Sequence, residues 1–367
     1  MINIFIFPSF GSPSSQGATG GIISNYYLVK AANKFSKTIV IVPDSGCSEE
    51  FEDELFIVKK VNIGRTTGVI GRLNLIYKMK RVLVRLLREN QGLKINVFFT
   101  TTTIPVLLDV EKSEFINKII ISRAYEDFIY SLNNKTKKIN ISDVVKKIIN
   151  LGKTKKAYSL SDLVITNSDY MCLEIKQAFP EVKKIIRLYP PMDFNNKSEK
   201  SISSKKLIKL PENREVTFGF IGRGDGKEKG IELIVNLSKK FPKNEFKLYG
   251  LSNLNKEKQK NLKDEGWKPF NEIVKEIDVL LIPSLWKEPF GRVAVEAQYF
   301  DIPVIVSKYG GLAETVSELN YFCDPQCIDE WIAAIGNLKS NGFEIDYEFL
   351  EKFSIKQHNA AVRDALN

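Results

Sequence analysis

The sequence predicts an α/β protein of two domains, each built on a parallel sheet, and three observations lead there. Short, almost wholly apolar runs such as Val279-Leu280-Leu281-Ile282 alternate with longer amphipathic stretches along the chain, which is the pattern of strands buried on both faces and joined by helices. A length of 367 residues exceeds one ordinary domain, and 43% hydrophobic with 11% aromatic residues can fill two cores. Tyr189-Pro190-Pro191-Met192-Asp193-Phe194 and the Asn/Lys/Ser-rich stretch after it, to about Lys206, carry two prolines and no core-facing period, so they read as a linker. This gives a domain over 1–190, a second over 191–345, and a helical stretch over 346–367 that either caps the second domain or crosses back to the first. The two sheets are expected to face a central cleft, the default ligand site.

In the first half the strands are placed at 3–7, 38–42, 55–61, 95–100, 118–122 and 163–166. In the second half they are placed at 216–221, 245–249, 279–282 and 304–306, with a short one near Tyr321; residues 343–367 read as a final helical pattern carrying Leu350, Phe353, Ile355, Ala361 and Val362. The first residues form a strand without a basic leader, and no apolar run reaches the roughly 18–20 residues of a membrane span. A cytoplasmic protein is expected. Cys47, Cys172, Cys323 and Cys327 lack the spacing of a zinc site and read as reduced thiols. One histidine, His358, leaves little room for imidazole-based triads or metal sites, so the chemistry falls to carboxylates, basic side chains and backbone amides.

Three strand-to-helix loops in the second half suit an anionic ligand. Gly222-Arg223-Gly224-Asp225-Gly226-Lys227-Glu228-Lys229-Gly230 opens a helix with glycines that let amides approach an anion, and it carries two cations, Arg223 and Lys229. Its third glycine does not fall where a dinucleotide fingerprint needs it. Glu288 and Glu296 stand eight residues apart, the first in the loop after strand 279–282 and the second in the following helix, placed to accept hydroxyl hydrogen bonds from a polyol. Gly310-Gly311-Leu312-Ala313-Glu314 follows the next strand and begins another helix. Singly, each is as well explained by a tight turn or a solvated surface; together, all on strand carboxyl ends, they point to one site.

The order of these loops resembles the retaining glycosyltransferases of the GT-B fold, specifically the family 4 group (glycosyl transferases group 1). The resemblance rests on Ile282-Pro283-Ser284 before Glu288 and Glu296, on Gly222-Arg223 with Lys229-Gly230, and on Gly310-Gly311 with Glu314. Leu163-Val164-Ile165-Thr166-Asn167-Ser168, Pro190-Pro191-Met192-Asp193 and Gly20-Gly21 extend it over most of the chain. It implies two Rossmann-like domains and transfer of a sugar from a nucleotide-diphosphate sugar to a glycan or glycolipid acceptor, with retention of anomeric configuration and no metal or other cofactor. Bacterial surface polysaccharide or glycoconjugate assembly is the implied setting.

Residue by residue, the resemblance implies a catalytic role for Glu288, Arg223 and Lys229. It implies donor binding by Glu296, by Phe290, Gly291, Gly310, Gly311 and Leu312, by Trp267 beside the base, and by Gly20 and Gly21. Many members place a histidine after the strand that here ends in Ser122; this chain has Arg123-Ala124-Tyr125-Glu126-Asp127, so Arg123, Glu126 and Asp127 become the acceptor-side candidates. Two other readings stay open: a glycosyltransferase-like protein that binds without transferring, as a partner or chaperone, and a nucleotide-sugar epimerase or phosphorylase on the same scaffold.

Charge is uneven. Residues 1–190 hold 28 Lys+Arg against 17 Asp+Glu, while the remainder is nearly balanced. Asn74, Lys78, Arg81, Arg85 and Arg88 fall on one stripe of a helix carrying Leu73, Ile76, Met79, Leu83, Leu86 and Leu87 on its other faces, and Lys135 to Lys156 adds eight lysines against Asp143. The stripe reads as a solvated face or as a contact for an anionic membrane surface, making the protein peripheral at the inner face of the plasma membrane. No nucleic-acid motif accompanies the charge.

Overall fold

The computed structural model describes residues 1–366 except 14–18, 48–50, 52–54, 63–67, 109, 124–140, 194–204, 225, 252–258 and 318–320. Glu126 and Asp127 therefore lie outside the described residues, as do Lys135, Lys137 and Lys138. The chain forms two units, Met1–Pro191 with Ile355–Asn367, and Met192–Ser354.

Unit 1 runs β1 (Ile2–Ile6), α1 (Gly20–Asn33), β2 (Lys37–Pro43), β3 (Ile57–Val61), α2 (Gly68–Glu89), β4 (Ile95–Thr100), α3 (Ile104–Leu107), β5 (Ile116–Ile121), α4 (Ile141–Leu160), β6 (Leu163–Thr166), α5 (Asp169–Ala178) and β7 (Ile185–Arg187). The seven strands form one parallel sheet in the order β3-β2-β1-β4-β5-β6-β7. Side chains alternate across it. Ile2, Ile4, Ile6, Val97, Phe99 and Val164 enter one core with Met79 and Leu83 of α2, Val106 of α3, Tyr158 of α4 and Ile175 of α5. Phe5, Phe7, Val40, Val42, Phe98 and Ile165 enter the other, against Leu28, Val29 and Ala32 of α1. Both faces being covered is why these strands read as continuous apolar runs.

Unit 2 runs β8 (Lys205–Ile208), β9 (Thr217–Gly224), α6 (Ile231–Lys240), β10 (Glu245–Leu251), β11 (Leu262–Gly266), α7 (Phe270–Ile273), β12 (Val279–Ile282), α8 (Arg292–Tyr299), β13 (Val304–Ser307), β14 (Phe322–Cys323), α9 (Ile328–Asn341), β15 (Phe343–Asp346) and α10 (Tyr347–Glu351). Six of its strands form a parallel sheet ordered β11-β10-β9-β12-β13-β14, and β15 pairs antiparallel with β8. From β9 the chain adds β10 and β11 on one side, then returns to add β12, β13 and β14 on the other. The order reverses between β9 and β12, so the loops after these two strands flank the crevice where open parallel sheets take ligands.

The final helical pattern is corrected at its start. Phe343 and Ile345 are fully buried and alternate with Glu344 and Asp346, a period of two, and the strand they form is matched by Lys205–Ile208 in a stretch the sequence assigned partly to the linker. A Lys205–Glu344 ion pair at 2.7 Å spans the pair. Beyond α10, the helix α11 (Ile355–Leu366) seats Val362 and Leu366 in the α1-side core of unit 1. The chain thus returns to its first sheet. Beside that return Met192 N donates to Phe353 O at 2.8 Å, and the His358 ring nitrogen Nδ1 lies 3.0 Å from Tyr189 O. The single histidine is a buried residue of this junction.

Candidate functional site

At the β9–β12 reversal three loops lock together. Strand β9 ends in Gly222-Arg223-Gly224, and the chain turns through Gly226 and Gly230 into α6. Gly230 caps α6 with φ +81°, a left-handed backbone, and a Cβ there would collide with the Pro283 carbonyl oxygen. Glycine is needed both for the turn and for that approach. The loop after β12 is clipped to this turn by backbone bonds: Leu285 N and Trp286 N donate to Glu228 O at 3.0 and 3.1 Å.

Glu288 is the polar centre. It is 9% exposed, and its Oε1 is ion-paired with Lys229 Nζ and lies 3.2 Å from the fully buried Ser284 hydroxyl. Lys229 also sits 5.3 Å from the centre of the Trp286 ring, a cation–π contact that fixes the ammonium from a second direction. Sequence placed Glu288 and Lys229 in separate loops 59 residues apart; the fold makes them partners.

The third loop closes over the second. Gly311 N donates to Glu288 O at 2.7 Å, and a Cβ on Gly311 would strike the Pro289 carbonyl oxygen and come within 2.8 Å of Phe290 Cα. The loop is held from behind by the Lys308 N to Cys323 O bond at 2.9 Å and by the Tyr309 hydroxyl on Asp324 Oδ2 at 2.5 Å. Accepting that hydrogen bond keeps the Asp324 carboxyl below its ordinary range, and the same bond raises the Tyr309 phenol. Gly311→Ala is therefore expected to destabilise the protein by roughly 1–3 kcal/mol, seen as a lower unfolding midpoint, because neither backbone segment can move away from the methyl group.

The other site candidates fall as follows. Phe290 is 2% exposed and edge-packed on Phe353 at 5.4 Å, so only its backbone is available to a ligand; Gly291 is the N-cap of α8, and Leu312 is fully buried. Glu296, in the second turn of α8, is bonded by Arg292 Nη2 at 2.9 Å. Arg223 stands at the carboxyl end of central strand β9 with an exposed side chain and no ion pair to a described residue. Trp267 follows β11 at the same end of the sheet and is 78% exposed, which removes its reading as a core tryptophan; the buried one is Trp331.

In unit 1, Gly20 and Gly21 open α1 behind the Thr19 cap. Arg123 Nη1 donates to Gly21 O at 2.9 Å and to Asn25 Oδ1, so the fold joins Arg123 to this glycine turn.

Sequence reasoning passed over several participants. In the sequence Ser284 marks only the end of a strand, and nothing local singles out Trp286 or Arg292, although Arg292 and Glu296 have the i,i+4 spacing of a helical ion pair. A further network braces the segment beside Trp267. Lys268 Nζ donates to Glu265 at 2.9 Å and to Glu276 at 2.8 Å, and the Tyr249 hydroxyl donates to Glu276 at 3.0 Å. The Lys268 bond holds the Glu276 carboxyl below its usual range, while burial, reinforced by Glu276, holds the Tyr249 phenol well above its own.

Comparison with known proteins adds a sequence match and likenesses of fold. Residues 202–357 fit the model of the glycosyl transferases group 1 family. A Klebsiella pneumoniae protein, described as an uncharacterized 41.2 kDa protein in the cps region, is 26% identical over 280 residues, covering 74% of this chain and 75% of that one. Sucrose-phosphate synthase from Thermosynechococcus elongatus is similar in fold, with a TM-score of 0.69 at 15% identity over 100% of this chain and 94% of that one. HepE of Anabaena, solved in complex with UDP-glucose, has a TM-score of 0.63 at 17% identity over 100% of this chain and 99% of that one. The two parallel-sheet units are those of the GT-B fold, and residues 202–357 of the chain match the glycosyl transferases group 1 model.

Proposed function

We propose that the protein transfers a sugar from a nucleotide-diphosphate sugar to a glycan or lipid-linked acceptor, with retention at the anomeric carbon and without a metal ion. The observation that carries this reading is the Glu288–Lys229 pair, set between the helix-opening turn of α6 and the Gly310-Gly311 loop. Together these offer a carboxylate for sugar hydroxyls, a cation for a diphosphate, and amides on either side. Arg223 supplies the second cation, and the amino end of α6 adds a favourable dipole, so charge developing on the departing diphosphate is met without a divalent ion. The β-phosphate oxygen that leaves the anomeric carbon can then take the acceptor's proton, which suits a chain whose one histidine is buried with its ring nitrogen on the Tyr189 carbonyl.

Glu296 is assigned to the ribose hydroxyls, with Arg292 orienting its carboxylate. Trp267 is assigned to the base, since an exposed indole on a braced segment is a ready stacking surface. Trp267→Ala should raise the donor KM about tenfold with little change in kcat, the size of one lost aromatic–base stack. Gly20, Gly21 and Arg123 are assigned to the reaction from unit 1. A relative in a cps region supports polysaccharide assembly as the setting, and a relative solved with UDP-glucose supports a UDP-linked donor. A cytoplasmic location follows from the use of an activated nucleotide donor.

The test is a thermal-shift screen of nucleotide diphosphates and their sugars, followed by NMR of the anomeric signal of the product formed with the best donor. A stabilising donor whose sugar reaches an acceptor with its configuration kept supports the reading. Donor binding without transfer points to a binding-only relative, free epimer or phosphate consumption points to the epimerase or phosphorylase reading, and loss of transfer on chelation contradicts metal independence.

A further inference from the structure

Unit 1 holds a cavity of about 380 Å³ at the amino-terminal edge of its sheet, opposite the edge that carries Gly20, Gly21 and Arg123. Ile95 and Ile116, the first residues of β4 and β5, form its floor, with Leu83 and Leu87 of α2 and Val106 of α3 as walls. Its size falls within the range of about 300–1,000 Å³ seen for small-molecule pockets. Leu93 and Phe115, 44% and 48% exposed, stand at its lip. The lip is braced: Ile95 N donates to Phe115 O at 2.8 Å, and the buried Lys118 ammonium donates to Val110 O at 2.5 Å.

The charges around the opening are Lys80, Arg88 and Lys112 against Glu111. Arg88 and Lys112 are exposed and form no ion pair with a described residue. The same helix continues the pattern away from the opening. Sequence placed Leu73 on the apolar side of α2, but it is 62% exposed, and Tyr77 is 58% exposed, interleaved with exposed Arg81 and Arg85. Apolar and basic side chains mixed on the solvent side of one helix suit an anionic lipid interface better than water alone. No helix among the described residues is long and apolar enough to cross a membrane.

We propose that this cavity seats one acyl chain of an anionic phospholipid, with the headgroup phosphate on Arg88 and Lys112. Leu93 and Phe115 cover the first methylenes, and the exposed side of α2 rests on neighbouring headgroups. One inserted chain holds a protein only weakly, and a basic surface supplies the second contact that makes attachment durable. The site is separate from the sugar-transfer residues and stands whether or not that assignment holds.

Sedimentation with vesicles tests it, using phosphatidylcholine alone and an equal mixture of phosphatidylcholine and phosphatidylglycerol. The protein should sediment with the mixed vesicles and remain in solution with phosphatidylcholine. Leu93→Asn combined with Phe115→Asn changes no charge, and it should lower partitioning about tenfold or more by removing the apolar contact. Arg88→Ala with Lys112→Ala should lower it comparably. An unchanged far-ultraviolet circular dichroism spectrum and unfolding midpoint show that each variant is folded. The proposal is overturned if the wild type stays in solution, if it sediments equally with phosphatidylcholine, or if the asparagine pair partitions as wild type does, which would reduce the effect to charge adsorption along α2.

Discussion

Glu288→Gln lowers kcat for sugar transfer by about 10³-fold while leaving the fold intact, the upper end of what one preorganised electrostatic contact contributes. Glutamine keeps the shape and one acceptor oxygen but removes the full charge that Lys229 faces in this structure. Two consequences follow. The sugar loses an anionic acceptor on its hydroxyls just as positive charge develops at the anomeric carbon, and Lys229 loses the partner that fixes its position beside Trp286. Lys229 keeps 29% of its side chain exposed, so water replaces part of the lost pairing and the stability cost stays near 1 kcal/mol rather than the larger cost of a sealed pair. Because the two groups act on each other, Lys229→Ala and the double variant should fall to a similar level instead of multiplying their losses. Steady-state kinetics with circular dichroism on each variant decides it. Undiminished turnover in Glu288→Gln removes this residue from the reaction.

The legible parts of the molecule were those with local causes. Strands such as Ile95–Thr100 and Val279–Ile282 are apolar throughout because both sheet faces are covered, and that shows in any short window. Several short strands were not legible, although the one near Tyr321 was. Ile185–Arg187 and Leu262–Gly266 carry polar residues and are strands only because a neighbour pairs with them, and Phe343–Asp346 needs Lys205–Ile208 across the unit. The site divides the same way. Glycines before helices announced three anion-suited loops, but nothing local could show that Lys229 faces Glu288, that Ser284 points at the same carboxylate, or that Gly311 rests on the Glu288 carbonyl. Those contacts come from the strand order, which brings the β9 and β12 loops side by side. Arg123 shows the converse: its place after β5 was clear, yet its hold on Gly21 and Asn25 depends on a helix about a hundred residues earlier.

Arg223→Ala should cost about 10²- to 10³-fold in kcat/KM with almost no change in stability, and the two halves of that expectation have separate causes. The side chain is exposed and engages no described partner in an ion pair, so removing it leaves no buried charge stranded and no cavity. Its backbone does the structural work: Gly226 N donates to Arg223 O at 3.1 Å, a bond that alanine retains. What alanine loses is a guanidinium at the carboxyl end of the strand beside the topological reversal, free to grip two oxygens of a diphosphate at once. Lys229 cannot replace that grip, because its ammonium lacks the planar fork. Arg223→Lys should recover only part of the activity, since an ammonium supplies the charge without the planar fork. Calorimetric titration of the nucleotide diphosphate should show the same order, wild type above lysine above alanine, with the gap narrowing as salt is raised, because an exposed cation is screened. Equal affinity in all three proteins would mean that the diphosphate is held elsewhere, and that the turn between β9 and α6 serves the fold alone.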